Sequence, residues 1–283
     1  MRNARPSVTA QRVAMHRAAH QILDHPRVLE DPVALRIVGE EALARIESDG
    51  RRFRGRASRS VRAFMAVRSR FAEDQLAEAV ARGASQYVIL GAGLDTFPYR
   101  NPHEMAPLRI FEVDHPATQD WKRQRLAAAG IQVPGSVTFA PVNFERQLLR
   151  DGLAAAGFDF GQATFFSWLG VTMYLTRKAM LGTLEFIASL GRSGVVFDYA
   201  LPRASLNWWG RMAFDFMARR VARAGEPFQL FFEPAELAAE LRRMGFGVLE
   251  DLGPEELNAR YFENRADALK VRGKLGRLLS ARV

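Results

Sequence analysis

The chain has 283 residues, is 48% hydrophobic and 25% charged, and carries a formal charge of +9, the composition of a globular protein with a sizeable core. It has no cysteine, which excludes disulfides and thiolate metal sites and fits a cytoplasmic protein. No apolar run is long enough to cross a bilayer, and Met1 to Gln11 lacks the hydrophobic stretch of a secretion signal, so neither a membrane anchor nor export is expected.

The positive charge raises nucleic acid as a partner, but no nucleic-acid-binding motif accompanies it. Among the 40 basic residues only Lys122, Lys178, Lys270 and Lys274 are lysines, and the arginines often stand within a few residues of Asp or Glu. The densest run, Arg51-Arg52-Phe53-Arg54-Gly55-Arg56, reads as a solvated loop between helices rather than a phosphate footprint.

Residues 8 to 82 read as helical. Val13, His16, Arg17 and His20 share one face of the first segment, and Asp31-Pro32 starts a second helix. Ser58 or Ser60 can cap a longer helix that Gly83 ends. From Gln86 onward short apolar runs alternate with helical stretches. Strands are expected at 87–90, 108–114, 137–141, 164–169, 195–199 and 246–252. Helices are expected from Pro116 to Gly130, from Thr176 to Leu190 and from Glu233 to Met244. A helical insertion at 203–232 contains Trp208 and Trp209. This alternation predicts an α/β fold with a Rossmann-like, doubly wound parallel sheet (83–283), to which residues 1–82 add a helical cap within the same domain.

Ligands of open α/β sheets bind beyond the carboxyl ends of the strands. There, Gly91-Ala92-Gly93 lets the backbone turn tightly against a ligand, and Asp114 ends the next strand, where a carboxylate can accept from both hydroxyls of an adenosine ribose. Three features favour S-adenosyl-L-methionine over a nicotinamide dinucleotide. Thr96 stands where the dinucleotide fingerprint has its third glycine, and Pro98 and Pro102 disrupt the helix that would face a pyrophosphate. A methyl donor has no pyrophosphate and needs neither. Arg68 falls on the same helical face as Val61, Phe64, Met65, Phe71 and Ala72, so it points into an apolar stripe and requires an anion. That anion is either the carboxylate of a methionine moiety or an internal Asp or Glu. Arg70, with Asp74 four residues on, reads as a surface pair.

These runs resemble the leucine carboxyl methyltransferase family and its bacterial relatives, a group of S-adenosylmethionine-dependent O-methyltransferases. The resemblance rests on Val88-Ile-Leu-Gly-Ala-Gly-Leu-Asp-Thr96 ending in Tyr99-Arg100, on Phe111-Glu-Val-Asp-His-Pro116, and on Met173-Tyr-Leu175. Arg17-Ala-Ala-His20 and Asp31-Pro-Val-Ala-Leu35 extend it over nearly the whole chain. It implies that Arg68 grips the donor carboxylate, that Gly91 and Gly93 line the methionine end and that Asp114 holds the ribose. The family's Asp-Leu pair at the adenine appears here as Asn143-Phe144, and a glutamate common before Met-Tyr-Leu is replaced by Leu169. Members acting on a protein's terminal leucine carry an arginine after the Asp-Leu pair. Glu145 stands there, with Arg146 next, so a small hydroxyl- or carboxyl-bearing acceptor is expected.

Tyr174 matches the family's active-site tyrosine, while His115 and His20 are the candidate bases. The N-terminal helices and the Trp208-Trp209 insertion are expected to close over the pocket. Three alternatives stand beside this reading. Tyr174 and Lys178 have the spacing of a short-chain dehydrogenase pair, although Thr176 reads as a helix cap between them. His16 and His20 could share a metal but lack a third ligand. A non-catalytic donor-binding protein would also keep these motifs.

Overall fold

The computed structural model describes residues 8–49, 53–103, 108–144, 147–222 and 227–283. The N-terminal part is helical: α1 (Val8–Leu23), α2 (Pro32–Val38), α3 (Glu40–Ser48) and α4 (Arg56–Ala81). The Asp31 carboxylate accepts from the Ala34 N–H at 3.0 Å and Pro32 fills the first turn, so α2 starts where its sequence predicts. The long helix α4 starts earlier than Ser58 or Ser60: Gly55 is its N-cap. Ser60 lies inside the helix, and its Oγ accepts instead from the Arg272 N–H at 2.8 Å. The basic run ahead of α4 is not simply a solvated loop. Arg51 and Arg52 lie outside the described residues, but Phe53 is buried, with its ring edge-on to His16.

A seven-stranded sheet follows, made of β1 (Gln86–Leu90), β2 (Arg109–Asp114), β3 (Val137–Pro141), β4 (Thr164–Trp168), β5 (Ser193–Ala200), β6 (Val248–Leu252) and β7 (Gly276–Arg282). Its helices are α5 (Pro116–Ala128), α6 (Leu149–Ala155), α7 (Arg177–Ser189), α8 (Trp208–Ala222), α9 (Pro234–Arg243) and α10 (Pro254–Tyr261). The strand order is β3-β2-β1-β4-β5-β7-β6. β1 to β5 are parallel, whereas β7 inserts antiparallel to both β5 and β6. The expectation of a parallel, doubly wound sheet therefore holds for five strands and is corrected at this edge. There the chain returns through Gly276–Arg282, a segment with neither clean alternation nor an apolar run.

Alternation along each strand splits the core into two layers. Val88, Leu90, Phe111, Phe166, Trp168, Val195 and Phe197 face α6, α7 and α9. On the opposite face Tyr87, Ile89, Ile110, Phe165 and Val196 pack under α4 and α10. Both faces are covered, which is why β1, β4 and β5 are buried along their whole length. A third cluster joins α1, α2 and α3 to α5 through Ala14, Ala18, Ala34, Ile37 and Leu126. This packing lays α1 across the carboxyl edge of the sheet. Among the described residues, no helix is long and apolar enough to cross a membrane.

Candidate active site

The carboxyl ends of β1, β2, β3 and β4 open into one cavity of about 230 Å³, roofed by Thr9, Ala10, Val13, Ala14 and Arg17 of α1. It lies where the strand order reverses between β1 and β4. Eight of the residues singled out from the sequence as cofactor or catalytic candidates line it: Arg68, Gly91, Gly93, Asp114, His115, Asn143, Phe144 and Tyr174.

The turn after β1 is tied to the end of β2. The N–H groups of Gly91 and Ala92 both donate to the Val113 carbonyl, at 2.8 and 3.1 Å. The Gly93 N–H donates to Asp114 Oδ2 at 2.6 Å. Gly91 and Gly93 have φ of +67° and +45°, a region that side-chain-bearing residues rarely adopt. A Cβ on Gly91 would come within 2.3 Å of Val171 Cγ2, so only glycine lets the β1 and β4 turns meet. Asp114 Oδ1 accepts the His115 N–H at 2.6 Å. Burial pushes this carboxyl above its ordinary range, and the two backbone donors only partly offset it. Each oxygen keeps capacity for a further donor, as a ribose diol requires.

Arg68 is 6% exposed and reaches the same cavity from α4. Its Nη1 donates to Asp198 Oδ2 at 2.9 Å. Of the two anions its sequence position allows, the chain itself supplies one. The other N–H donors of Arg68 make no hydrogen bond among the described residues, and the guanidinium lies against Gly170, where a Cβ would fall 2.9 Å from Nη2. Asp198 was missed in the sequence, although the signal matches that of Asp114: an acid closing the apolar run Val195-Val196-Phe197.

His115 is the N-cap of α5. Its Nδ1 accepts the Ala117 N–H at 3.3 Å, so the neutral ring carries its proton on Nε2. Tyr174 sits on a 3₁₀ turn after β4 and stacks on Phe228, with ring centroids 5.4 Å apart. Thr176 caps α7 through its Oγ1, at 3.3 Å from the Ala179 nitrogen, so Tyr174 lies before the helix and exposed Lys178 within it. The two do not form the one-helix pair of a dehydrogenase. Leu169 lines the cavity without an acidic group. Glu145 and Arg146 lie outside the described residues.

His20 is corrected as a base. It is fully buried and away from the cavity, its Nε2 accepts from the Val28 N–H at 3.0 Å and its Nδ1 is 2.9 Å from Asp24 Oδ2. Both nitrogens are engaged in fixing the α1–α2 loop, which also removes His20 as a metal ligand. No cluster of three potential metal ligands occurs among the described residues. Trp208 is 61% exposed and does not line the cavity, and the side chain of Trp209 lies outside the described residues. From this insertion Pro227 and Gln229 reach the cavity, while Phe228 and Phe214 stack behind the cavity-lining Tyr174.

Two buried polar atoms of residues lining the cavity make no hydrogen bond among the described residues: Thr118 Oγ1, and Arg17 Nε, which lies 3.6 Å from Asp31 Oδ2. Together with the glycine turn and the Asp114 carboxylate, they fit a polar nucleoside ligand rather than an apolar filler.

The sheet order, with an antiparallel strand beside β5, is the Rossmann-like arrangement of class I methyltransferases. The model of the leucine carboxyl methyltransferase family matches residues 10–188, and the chain belongs to that family. It is 32% identical to YktD of Bacillus subtilis (strain 168), named as a candidate S-adenosyl-L-methionine-dependent methyltransferase, over 96% of each chain. A similarly named protein of Mycobacterium marinum is 29% identical, over 97% of this chain and 80% of that one. Among solved structures, a possible exported protein from Bordetella parapertussis is similar in fold, with TM-score 0.51 and 13% identity over 98% of this chain and 97% of that one.

Proposed function

We propose that this member of the family is an S-adenosyl-L-methionine-dependent methyltransferase that acts on an oxygen of a small hydroxyl- or carboxyl-bearing compound. The observation that carries the reading is the convergence of Arg68, the Gly91–Gly93 turn and Asp114 on one cavity, with Tyr174 on the same wall. In this reading Arg68 holds the donor carboxylate, Gly91 and Gly93 admit its methionine end, and Asp114 accepts from the ribose hydroxyls. Asn143 and Phe144 face the adenine. When bound, the donor supplies an electrophilic methyl group on a sulfonium.

The chain's own task is then to align the acceptor oxygen and exclude water. The α1 roof does the second. A carboxylate acceptor needs no base, whereas an alcohol must lose its proton. Tyr174 is the residue we place at the acceptor. His115, whose Nδ1 caps α5, contributes there through Nε2–H as a donor. The size of the cavity favours a small acceptor over a folded partner or nucleic acid. We place the helices of residues 1–82 in the same domain as the sheet, since α1 roofs its site and α4 carries Arg68 into it.

The test is transfer of isotopically labelled methyl from the donor into a panel of small phenols, alcohols and acids. Label in an extractable product supports the proposal, and its release by mild alkali separates an ester from an ether. Label only in protein or nucleic acid would refute it. Donor binding without turnover on any acceptor would favour a non-catalytic binding protein.

A further inference from the structure

The carboxylate missing at Leu169 has a neighbour one strand away. Trp168, the last residue of β4, pairs with Phe197, so Leu169 just past β4 lies level with Asp198 inside β5. Asp198 is 1% exposed and does not itself line the cavity. Its two oxygens nonetheless hold two different walls. Oδ2 accepts from Arg68 Nη1 at 2.9 Å, and Oδ1 accepts the Gly170 N–H at 2.6 Å. Its main-chain carbonyl accepts at 2.5 Å from Thr172 Oγ1, on the turn that carries Tyr174.

We infer that Asp198 is a positioning residue for the donor's amino-acid end: it fixes the Arg68 guanidinium against the Gly170 turn so that its remaining N–H donors face the cavity. The inference rests on the donor site proposed above. An arginine has a long, rotamer-rich side chain, and a buried carboxylate partner, itself held by the Gly170 N–H, removes much of that freedom before the ligand arrives. The fork geometry then leaves the opposite edge aimed at a second carboxylate. Gly170 completes the device. With φ of +74°, its turn delivers an N–H to Asp198, and the missing Cβ leaves room for the guanidinium. The same carboxylate thus sets the donor clamp and the turn that leads to Tyr174.

The probes are S-adenosylhomocysteine and 5′-methylthioadenosine, an adenosine thioether that lacks the amino-acid end. Both are titrated by calorimetry into the full chain and its variants. Asp198→Asn still offers an oxygen to the Gly170 N–H but removes the charge that holds Arg68. It is expected to weaken S-adenosylhomocysteine about tenfold or more while changing 5′-methylthioadenosine less than about twofold. Equal losses for both ligands would make Asp198 merely structural and overturn the inference, as would unchanged or tighter binding of S-adenosylhomocysteine. If the wild type binds neither probe, the donor site itself fails and the inference falls with it. The double variant Arg68→Gln/Asp198→Asn removes both buried charges and leaves no unpaired ion, which guards against a single variant that does not fold. Acting through Arg68 requires the double variant to lose no more affinity than Arg68→Gln alone, and an additional loss would contradict it.

Discussion

Two arginines six residues apart on α4 are both buried, yet their surroundings differ in kind. Arg62 has all three nitrogens engaged: Nε and Nη2 donate to Asp24 at 2.6 and 2.7 Å, and Nη1 donates to the Phe53 carbonyl at 2.6 Å. Asp24 in turn meets His20, whose other nitrogen accepts from the α1–α2 loop. Arg68 makes one ion pair among the described residues, with Asp198, and lines the cavity. The difference separates an ion pair that closes a structure from one that leaves valence for a ligand. Burial alone does not tell them apart, but the count of satisfied donors does.

The larger effect on stability is expected at Arg62. Arg62→Ala leaves Asp24 buried without its main counter-ion and should cost about 3–5 kcal/mol of stability, read from urea unfolding. Retention of wild-type stability would show that the network is not closed as described. Arg68→Ala should reverse the pattern, with a smaller loss of stability and at least about tenfold weaker binding of S-adenosylmethionine. Equal effects on stability at both sites would erase the distinction.

The glycine turn offers a sharper handle. Gly91→Ala places a methyl against Val171 at a positive φ, so donor affinity should fall, and Val171→Ala in the same chain should restore part of it. The unrecovered part is the backbone strain, about 1–2 kcal/mol. Absence of any rescue would mean that the Val171 contact does not limit the turn.

The smallest expected effects concern pH. Burial raises the Asp24 pKa, but the hydrogen bonds from Arg62 and His20 outweigh it and hold the carboxyl at about 2, against an ordinary 3.8. A carboxyl whose folded pKa is depressed contributes stability that is whole above its unfolded pKa. That contribution is lost as the pH falls from 3.8 toward 2. Unfolding midpoints of wild type and Asp24→Asn should therefore converge through that window. Asp114 shifts the other way, because burial raises it, so donor affinity should begin to fall on acidification above the ordinary aspartate range.

Much of this site is legible in the sequence because its signals are local. A glycine turn after an apolar run, an acid closing the next run and an arginine in an apolar helical stripe each follow from backbone geometry or periodicity. The five parallel strands are legible for the same reason. What is not local is missed. Asp198 matters only because β5 lies beside β4, and the partnering of Arg68 spans 130 positions in the chain. β7 forms only by inserting between β5 and β6, which no pattern within Gly276–Arg282 announces. His20 reads as a base in isolation and becomes structural only when the loop folds its N–H groups back onto Nε2. The setting of Tyr174 depends on aromatic stacking between distant segments, Tyr174 on Phe228 and Phe228 on Phe214.

In the reading proposed above, the cavity at the β1–β4 switch point takes a methyl donor through Arg68 and Asp114. Calorimetric titration of the wild type with S-adenosylmethionine and, separately, with NADH and NADPH tests it most directly, with Arg68→Ala and Asp114→Ala as controls. Binding of S-adenosylmethionine alone, weakened in both variants while their folding persists, is the predicted result. Preference for a nicotinamide, or donor binding that both variants retain, would contradict it.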